Sequence, residues 1–308
     1  MIRPLPNLFA IATLFTHVFL PIQARADYIA SRLPALSPDK VVVYKKVADR
    51  ELELRLFLPE GWAATDKRPC FHLIHGGGWG GMDPSRMYPF AADFAKRHGM
   101  VGISVQYRLY QPGTATVFDC VKDARSSVRY VRSHAAELGI DPGKILVSGG
   151  SAGGHLAAAT ATVPGFESPG DDPKISSAPN ALVLFNPALV LAPLPGLDIA
   201  DFGTRVPAER MGTDPKNLSP AHHVKKGTPP TLIFHGKADT TVPYATAEAF
   251  TAAMKTAGNR CDLVGSEGAQ HGFFNYGRGD NAAYRATLAA TDAFFVSLGW
   301  LRAAPAGK

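Results

Sequence analysis

The chain has 308 residues, of which 46% are hydrophobic and 19% charged, and its formal net charge is +6 with a pI near 9.2. This is ordinary globular composition without a long polar or acidic run, and the length suits one large α/β domain or two small ones. Lysines and arginines are scattered rather than clustered with aromatic residues, so the basic charge predicts no nucleic-acid partner.

The first segment has the pattern of an export signal. Arg3 supplies a positive start, Leu8–Leu20 is apolar apart from Thr and His, and Ala24–Ala26 has the small-x-small pattern of a cleavage site. We therefore expect residues 1–26 to be removed, which makes Asp27 the first residue of an exported protein, periplasmic or extracellular. The alternative is an uncleaved anchor. The apolar run is short for a membrane span and no later segment approaches ~18 apolar residues, so no stable membrane insertion is predicted.

The cysteines exclude two classes of site. Cys70, Cys120 and Cys261 are far apart, with no CxxC pair and no histidine at metal-ligand spacing. An odd number in an exported protein leaves at least one free thiol. Cys70 and Cys261 begin apolar segments and are interpreted as small core residues. Neither a redox site nor a metal site is predicted.

The first two predicted strands form a hairpin. They are Val41–Val47 and Glu51–Leu58, and the short connection between them contains Asp49 and Arg50. The second strand alternates, with leucines at 52, 54, 56 and 58 on one face and Glu51, Glu53, Arg55 and Phe57 on the other.

From there the pattern changes to short apolar strands separated by helices. Such alternation predicts an α/β fold with a mostly parallel, doubly wound sheet, an antiparallel hairpin at its edge and helices on both faces. The predicted strands are Cys70–Ile74, Val101–Val105, Ile145–Ser148, Ala181–Phe185, Thr231–Phe234 and Asp262–Val264, and the helices are Tyr88–Arg97, Ala115–Leu138, Ala152–Ala161, Tyr244–Ala257 and Ala282–Leu298.

Two stretches interrupt the alternation. Pro164–Pro179 is rich in Pro, Asp and Ser and is interpreted as a surface loop. Pro187–Pro230 is longer, Pro-rich and without a clear strand, which predicts a lid-like insertion over a functional site. With no repeat or low-complexity tract, residues 27–308 are predicted to form one domain.

A G-x-S-x-G pentapeptide centres on Ser151, between the predicted strand that ends at Ser148 and the helix that begins at Ala152. A turn from strand to helix at one residue strains its backbone and brings the flanking chains together, which requires glycine on both sides. The serine hydroxyl then stands above the carboxyl edge of the sheet at a helix N-terminus. Ser151 is the predicted nucleophile. The alternative is a Gly-rich turn with Ser as N-cap.

His75-Gly76-Gly77-Gly78-Trp79 directly follows the strand Cys70–Ile74. Consecutive glycines let bare amide N–H groups point into a site, and acyl transfer needs such donors for the oxyanion of its tetrahedral intermediate. The N–H groups of Gly77, Gly78 and Ala152 are the predicted donors. Two interpretations of Trp79 stay open: it lines the acyl pocket and binds substrate, or it only packs the loop.

The acid and the base follow the serine in chain order, each after a strand. Asp239 lies in the loop after Thr231–Phe234, and His271 in the loop after Asp262–Val264. His271 is the predicted base for the serine and Asp239 the carboxylate that orients it, with Glu267 as the reserve acid. His222 and His223 are adjacent and lack a carboxylate partner, so they predict no metal.

Together these segments resemble the HGGGW-type esterase/lipase branch of the α/β-hydrolases, which includes hormone-sensitive-lipase-like enzymes and bacterial acetyl and carbohydrate esterases. The resemblance extends from Val41 to the last helix and is carried by HGGGW at 75–79, SGGSAGG at 148–154, HGKADTTVP at 235–243 and QHGF at 270–273. It implies the α/β-hydrolase fold, the Ser151–Asp239–His271 triad and the same oxyanion donors, with no cofactor and no metal.

The chain departs from lipase-like members of that branch in one respect. Only Asp27–Lys40 stands between the leader and the first strand, with little helical pattern, so the insertion 187–230 is left as the main cover of the site. An open site suits short acyl groups, so we expect a serine carboxylesterase acting on small-molecule or polysaccharide esters, above all acetylated carbohydrates. Alternatives are an exported peptidase of the prolyl-oligopeptidase type and a catalytically silent binding protein. No oligomeric state is predicted.

Overall fold

A computed structural model describes residues 35–197 and 206–302, so the predicted leader and part of the predicted insertion lie outside the described residues. The eight described strands form one sheet. They are β1 (Lys40–Val47), β2 (Arg50–Phe57), β3 (Arg68–Ile74), β4 (Val101–Val105), β5 (Ile140–Gly150), β6 (Ala181–Phe185), β7 (Thr231–Gly236) and β8 (Cys261–Ser266).

The strands lie in the order β1-β2-β4-β3-β5-β6-β7-β8. β2 is antiparallel to both of its neighbours, and β3 to β8 are parallel to one another. A two-residue turn forces β1 and β2 to pair antiparallel, whereas longer crossovers permit parallel pairing. The predicted fold, a mostly parallel sheet with an antiparallel hairpin at its edge, is confirmed.

Helices cover both faces of the sheet. The long helices are α1 (Tyr88–His98), α2 (Val117–Ser133), α3 (Ala152–Thr162), α4 (Tyr244–Thr256) and α5 (Ala282–Ser297). Residues of α1 and α5 belong to one apolar core, and residues of α2, α3 and α4 belong to the other. At the start of α2, Asp119 Oδ2 accepts the backbone N–H of Thr116 at 3.0 Å, which ties the residue before the helix to its first turn.

The second strand of the hairpin departs from its predicted pattern at one end. Leu52, Leu54 and Leu56 are fully buried, as predicted. Phe57, predicted on the face opposite the leucines together with Glu51, Glu53 and Arg55, is only 4% exposed, and its ring meets Tyr88 of α1 edge-on at 4.9 Å. Because β2 lies inside the sheet, next to β4, both of its faces are covered there, and strict alternation ends.

The segment after β6 begins in the apolar core. Leu189, Val190 and Leu191 are buried in the core, and Ala221 N–H bonds to Leu189 O at 2.9 Å. The short apolar run at the start of the predicted lid-like insertion therefore packs in the core. Further along the segment are three short helical turns, Ala208–Met211, Pro215–Leu218 and Pro220–His223.

All three cysteines are free and buried. Burial raises the pKa of the Cys261 thiol to about 11 and those of Cys70 and Cys120 further. Thiolate is therefore scarce at neutral pH, in keeping with the core role predicted for Cys70 and Cys261. Within the described ranges, no helix has the length and apolarity needed to cross a membrane.

Candidate active site

Ser151 is the single residue between β5 and α3, and its backbone has φ 55° and ψ −120°. A positive φ is strained for a residue with a Cβ. The flanking glycines permit this turn: a Cβ on Gly149 would lie 2.3 Å from Gly153 O, and one on Gly153 would lie 2.1 Å from Ile74 O. Glycine is thus required two residues before and after the serine, as predicted, and the hydroxyl is raised above the sheet edge.

The structure brings the three predicted catalytic residues into one hydrogen-bonded chain. His271 Nε2 lies 3.0 Å from Ser151 Oγ, and His271 Nδ1 lies 2.7 Å from Asp239 Oδ2. An ionised carboxylate only accepts, so Nδ1 carries the proton and Nε2 is left to accept the hydroxyl proton of the serine. This is the tautomer that a general base requires.

Asp239 is held in place from several sides. Its Oδ1 accepts the N–H groups of Thr241 and Val242 at 2.8 and 2.9 Å, and its side chain is fully buried. Burial by itself raises the pKa of this carboxyl, but hydrogen bonds from His235, His271 and Val242 outweigh it and hold the pKa well below its usual value. Asp239 is therefore ionised and unable to rotate freely.

The reserve acid and the paired histidines lie outside this chain of contacts. Glu267 pairs with Lys237 at 2.5 Å and its side chain is 81% exposed. His222 bonds to Ser219 Oγ at 2.8 Å, and His223 to a backbone carbonyl. Among the described residues, no group of histidine, cysteine and carboxylate side chains could hold a metal ion.

The glycine loop lies directly against the serine. A Cβ on Gly76 would be 2.8 Å from Gly150 O and 3.4 Å from Ser151 Cβ. Gly77 and Gly78 have φ of 106° and 60°, values that favour glycine. Among the described residues, no backbone carbonyl in a turn or loop accepts a hydrogen bond from the N–H groups of Gly77, Gly78 or Ala152. These N–H groups thus remain available near the hydroxyl.

Two hydrogen bonds orient the predicted donors. His75 Nδ1 donates to Gly76 O at 2.8 Å, and Gly80 N–H donates to Gly77 O at 3.2 Å. A peptide unit is planar and trans, so fixing a carbonyl also fixes the N–H on its far side. The directions of the Gly77 and Gly78 N–H groups are therefore set by these contacts. Burial lowers the pKa of His75 to about 4, so its ring is neutral.

Trp79 packs the loop. The residue is 4% exposed, and its indole N–H donates to His155 Nδ1 of α3 at 3.0 Å. Arg210, from the segment after β6, donates to Gly78 O and lies 5.4 Å from the Trp79 ring and 5.0 Å from the Tyr110 ring. Of the two interpretations of Trp79, the contacts favour packing of the loop over substrate binding.

Sequence reasoning missed other residues that contact the site. Asn186 follows β6 and accepts the N–H of Gly272, and Arg278 donates to His271 O at 2.5 Å. The sequence around Arg210 gives no indication that this residue contacts the glycine loop. Only Asn186 carries a local signal, because an asparagine directly after a buried strand often adopts the left-handed turn seen here.

The chain is similar to known esterases. A family model described as alpha/beta hydrolase fold matches residues 71–275. Esterase LipQ of Mycobacterium tuberculosis is 29% identical over 223 residues, which covers 68% of this chain and 51% of LipQ. Carboxylesterase NlhH of the same species is 34% identical over 130 residues, 40% of this chain and 37% of NlhH. The chain thus spans about half or less of these curated relatives.

Solved structures of esterase 2 from Thermogutta terrifontis match over nearly their whole length. The apo form is 48% identical with a TM-score of 0.81, covering 89% of this chain and 98% of that one. The propionate-bound form is 49% identical with the same TM-score and the same coverage of both chains. Esterase activity is therefore supported by relatives in sequence and by neighbours in structure.

Proposed function

This chain belongs to the alpha/beta hydrolase fold family, within its esterase/lipase branch, and from that premise we propose that it is a carboxylic ester hydrolase that works through an acyl-enzyme on Ser151. The observation that carries the proposal is the continuous hydrogen-bonded chain from Asp239 through His271 to the serine hydroxyl. It lies beside a loop of backbone N–H groups, which is the arrangement that acyl transfer needs.

The proposed reaction has two halves. His271 Nε2 takes the proton of Ser151 Oγ as that oxygen attacks the ester carbonyl, and the oxyanion is stabilised by the N–H groups of Gly77, Gly78 and Ala152. The carbon–oxygen bond to the alcohol breaks, and the alcohol leaves with the proton from His271. Water then attacks the acyl-serine by the same route and releases the acid, which restores the free hydroxyl.

We propose short acyl groups as the substrate class. Esterase 2 from Thermogutta terrifontis, the similar structure, has been solved with propionate and with butyrate bound. For the alcohol part of the ester we propose a carbohydrate, so that the substrate is an acetylated carbohydrate. This proposal depends on the sequence alone: an export signal would bring the enzyme to polysaccharide esters outside the cytoplasm.

A panel of p-nitrophenyl esters from acetyl to dodecanoyl tests the acyl part. We expect kcat/KM for acetyl to butyryl esters to exceed that for octanoyl and longer ones at least about tenfold, since added methylenes find no matching pocket. A maximum at the long end would contradict the proposal. Release of acetate from acetylated xylan and acetylated glucose tests the alcohol, and an aminoacyl amide cleaved faster than any ester would favour a peptidase instead.

Paraoxon tests the nucleophile independently of substrate choice. Thermogutta terrifontis esterase 2 has been solved phosphorylated by paraoxon. We expect this chain to lose activity at one equivalent, with the phosphoryl group found by peptide mass spectrometry on Ser151. Labelling of another residue would place the nucleophile elsewhere.

We propose export as the localisation. It depends on the leader predicted over residues 1–26. N-terminal sequencing of protein recovered from the periplasm or the medium should begin at Asp27. Full-length protein in the membrane fraction would support the uncleaved anchor.

A further inference from the structure

Asn186 is a buried residue with an unusual backbone at the carboxyl end of β6. It is 1% exposed and has φ 34°, a left-handed conformation that asparagine tolerates better than other residues with a Cβ. A strained and buried polar residue persists only where surrounding contacts over-determine it. The contacts of Asn186 and of the peptide bond that precedes it run to all three chain segments that carry the predicted catalytic residues.

The backbone at this point joins two of those segments. Phe185 O accepts the N–H of Ser151 at 2.9 Å, and Asn186 N–H donates to Phe234 O at 2.7 Å. One planar peptide, between Phe185 and Asn186, is thus held at both ends. It connects the serine turn to β7, the strand that leads into the loop of Asp239.

The side chain reaches the third segment. Asn186 Oδ1 accepts the N–H of Gly272 at 3.0 Å, and Arg278 donates to His271 O at 2.5 Å. The peptide between His271 and Gly272 is therefore held at its N–H and at its carbonyl, which fixes the Cα from which the imidazole projects.

We propose that Asn186 is a positioning residue that sets the imidazole of His271 at the correct distance from Ser151; the proposal rests on the esterase function proposed above. Its amide oxygen makes a side-chain hydrogen bond between the strand edge that holds the serine backbone and the loop that carries the base, beside the stacking of Phe185 on Phe274 at 4.6 Å. A displacement of the base by about 1 Å can lower the rate about 100-fold, so loss of this link should reduce kcat while ground-state binding of the ester is unchanged.

The amide nitrogen offers a way to isolate the oxygen. Asn186 Nδ2 is buried and has no hydrogen-bond partner among the described residues. Asn186→Asp therefore loses no hydrogen bond, and in either protonation state an oxygen remains to accept the Gly272 N–H. Asn186→Gly tolerates the positive φ but removes the oxygen.

Asn180 provides a matched control at the opposite end of β6. Its Oδ1 accepts the N–H of Ile145 at 3.0 Å, the same kind of amide-to-backbone bond, and also an N–H of Arg132 at 3.4 Å. The strand Ala181–Phe185 lies between the two asparagines, which places them roughly 20 Å apart along the chain. Asn180→Gly removes an equivalent bond from the residue that precedes the same strand, without touching the site.

The experiment measures kcat and KM for p-nitrophenyl acetate together with the Tm of each variant. We expect N186G to lose about 10- to 100-fold in kcat with KM within about threefold, N186D to stay within about threefold of the wild type in both, and N180G to keep the wild-type kcat. Asn186→Ala replaces N186G in the comparison if the glycine variant does not fold.

A wild-type kcat in N186G, a loss in N186D as large as in N186G, or a change confined to KM would overturn the proposal. A wild type without ester hydrolysis would instead overturn the proposed function. In that case NMR of the proton between His271 Nδ1 and Asp239 tests the positioning role of Asn186 without a substrate. We expect this proton to be protected from exchange with solvent in the wild type and in N186D, and to lose that protection in N186G. Equal protection in all three would overturn it.

Discussion

At the residue scale, the backbone strain at Ser151 supports the proposed role of that residue as the nucleophile. A non-glycine residue with φ 55° and ψ −120° is expected to cost of the order of 1–3 kcal/mol. The strain is maintained because the N–H of Ser151 bonds to Phe185 O and its carbonyl accepts the N–H of His155. A serine that served only as a helix N-cap would bond to its own helix, but no such side-chain bond is formed, and the hydroxyl bonds to His271.

Ser151→Ala should lower kcat for p-nitrophenyl acetate by roughly a million-fold, to the limit of detection, because no other group then forms the acyl-enzyme. Ser148→Ala is the matched control: this serine lies three residues earlier, is fully buried in β5, and its Oγ has no hydrogen-bond partner in the described structure. We expect wild-type activity in S148A. Equal activity in the two variants would exclude Ser151 as the nucleophile.

The low pKa of Asp239 fixes how the rate should depend on pH. A carboxyl whose pKa lies below its usual value stays ionised as the pH falls, so it adds nothing to the loss of activity in mild acid. A histidine base must be neutral to accept a proton, and histidines become protonated around pH 6–7. We therefore expect kcat/KM to fall on acidification with a slope of one. A slope of two, or a flat profile from pH 5 to 9, would contradict this.

Asp239→Asn should lower kcat by roughly 10,000-fold, because the amide can donate to Nδ1 and so favours the tautomer with its proton on Nε2. Glu267→Gln is the matched control, since the sequence offers Glu267 as the reserve acid and the structure pairs it with Lys237 at the surface. We expect E267Q to retain wild-type kcat. The reverse result would transfer the orienting role to Glu267.

At the scale of elements, the loop after β3 is fixed by close backbone contacts. A Cβ on Gly77 would lie 2.2 Å from Gly81 O, and the residue has φ 106°. Gly77→Ala should therefore displace the loop and its N–H groups, with a loss of about 100- to 1,000-fold in kcat, the effect of one missing oxyanion donor. The measurement is kcat of G77A compared with kcat of G81A, a second alanine variant of the same loop.

Gly81→Ala is the control for that loop. A Cβ there would lie 3.5 Å from Gly77 O, an ordinary contact, and Gly81 is not among the residues of positive φ. We expect G81A to retain activity within about threefold of the wild type, because no donor moves. Equal losses in G77A and G81A would mean that the loop is sensitive to any change and would not support specific donors at Gly77 and Gly78.

The elements also show how far the sequence could predict the fold and the site. Strand and helix positions followed from apolar runs and glycines, and the segments around Ser151 and Gly77 were identified because their glycines are required by local geometry. Phe57 was misplaced because its burial depends on α1, which no alternation within β2 reveals. The contacts of Arg210 and Asn186 join segments far apart in the chain, and such contacts leave no periodic signal.

At the scale of the whole molecule, one buried carboxylate joins four parts of the fold. Asp123 of α2 is fully buried and accepts Lys45 Nζ of β1 at 2.6 Å. It also accepts the backbone N–H and the Nε of Arg108, after β4, at 3.1 and 2.8 Å. The same lysine donates to Ser168 Oγ in the loop before β6 at 2.6 Å. The edge hairpin is therefore tied to the helical layer by charge as well as by its leucines.

Asp123→Asn should lower the free energy of unfolding by about 3–5 kcal/mol, because it leaves the nearly buried charge of Lys45 without its counter-ion and leaves Arg108 with the longer pair to Asp119, at 3.4 Å. Urea unfolding followed by circular dichroism measures this as a lower midpoint at an unchanged m-value. Glu51→Gln is the control, since Glu51 pairs with Lys46 on the same hairpin but in solvent, where screening leaves an ion pair little net effect. An equal midpoint in D123N and E51Q would mean that the hairpin is held by apolar packing alone.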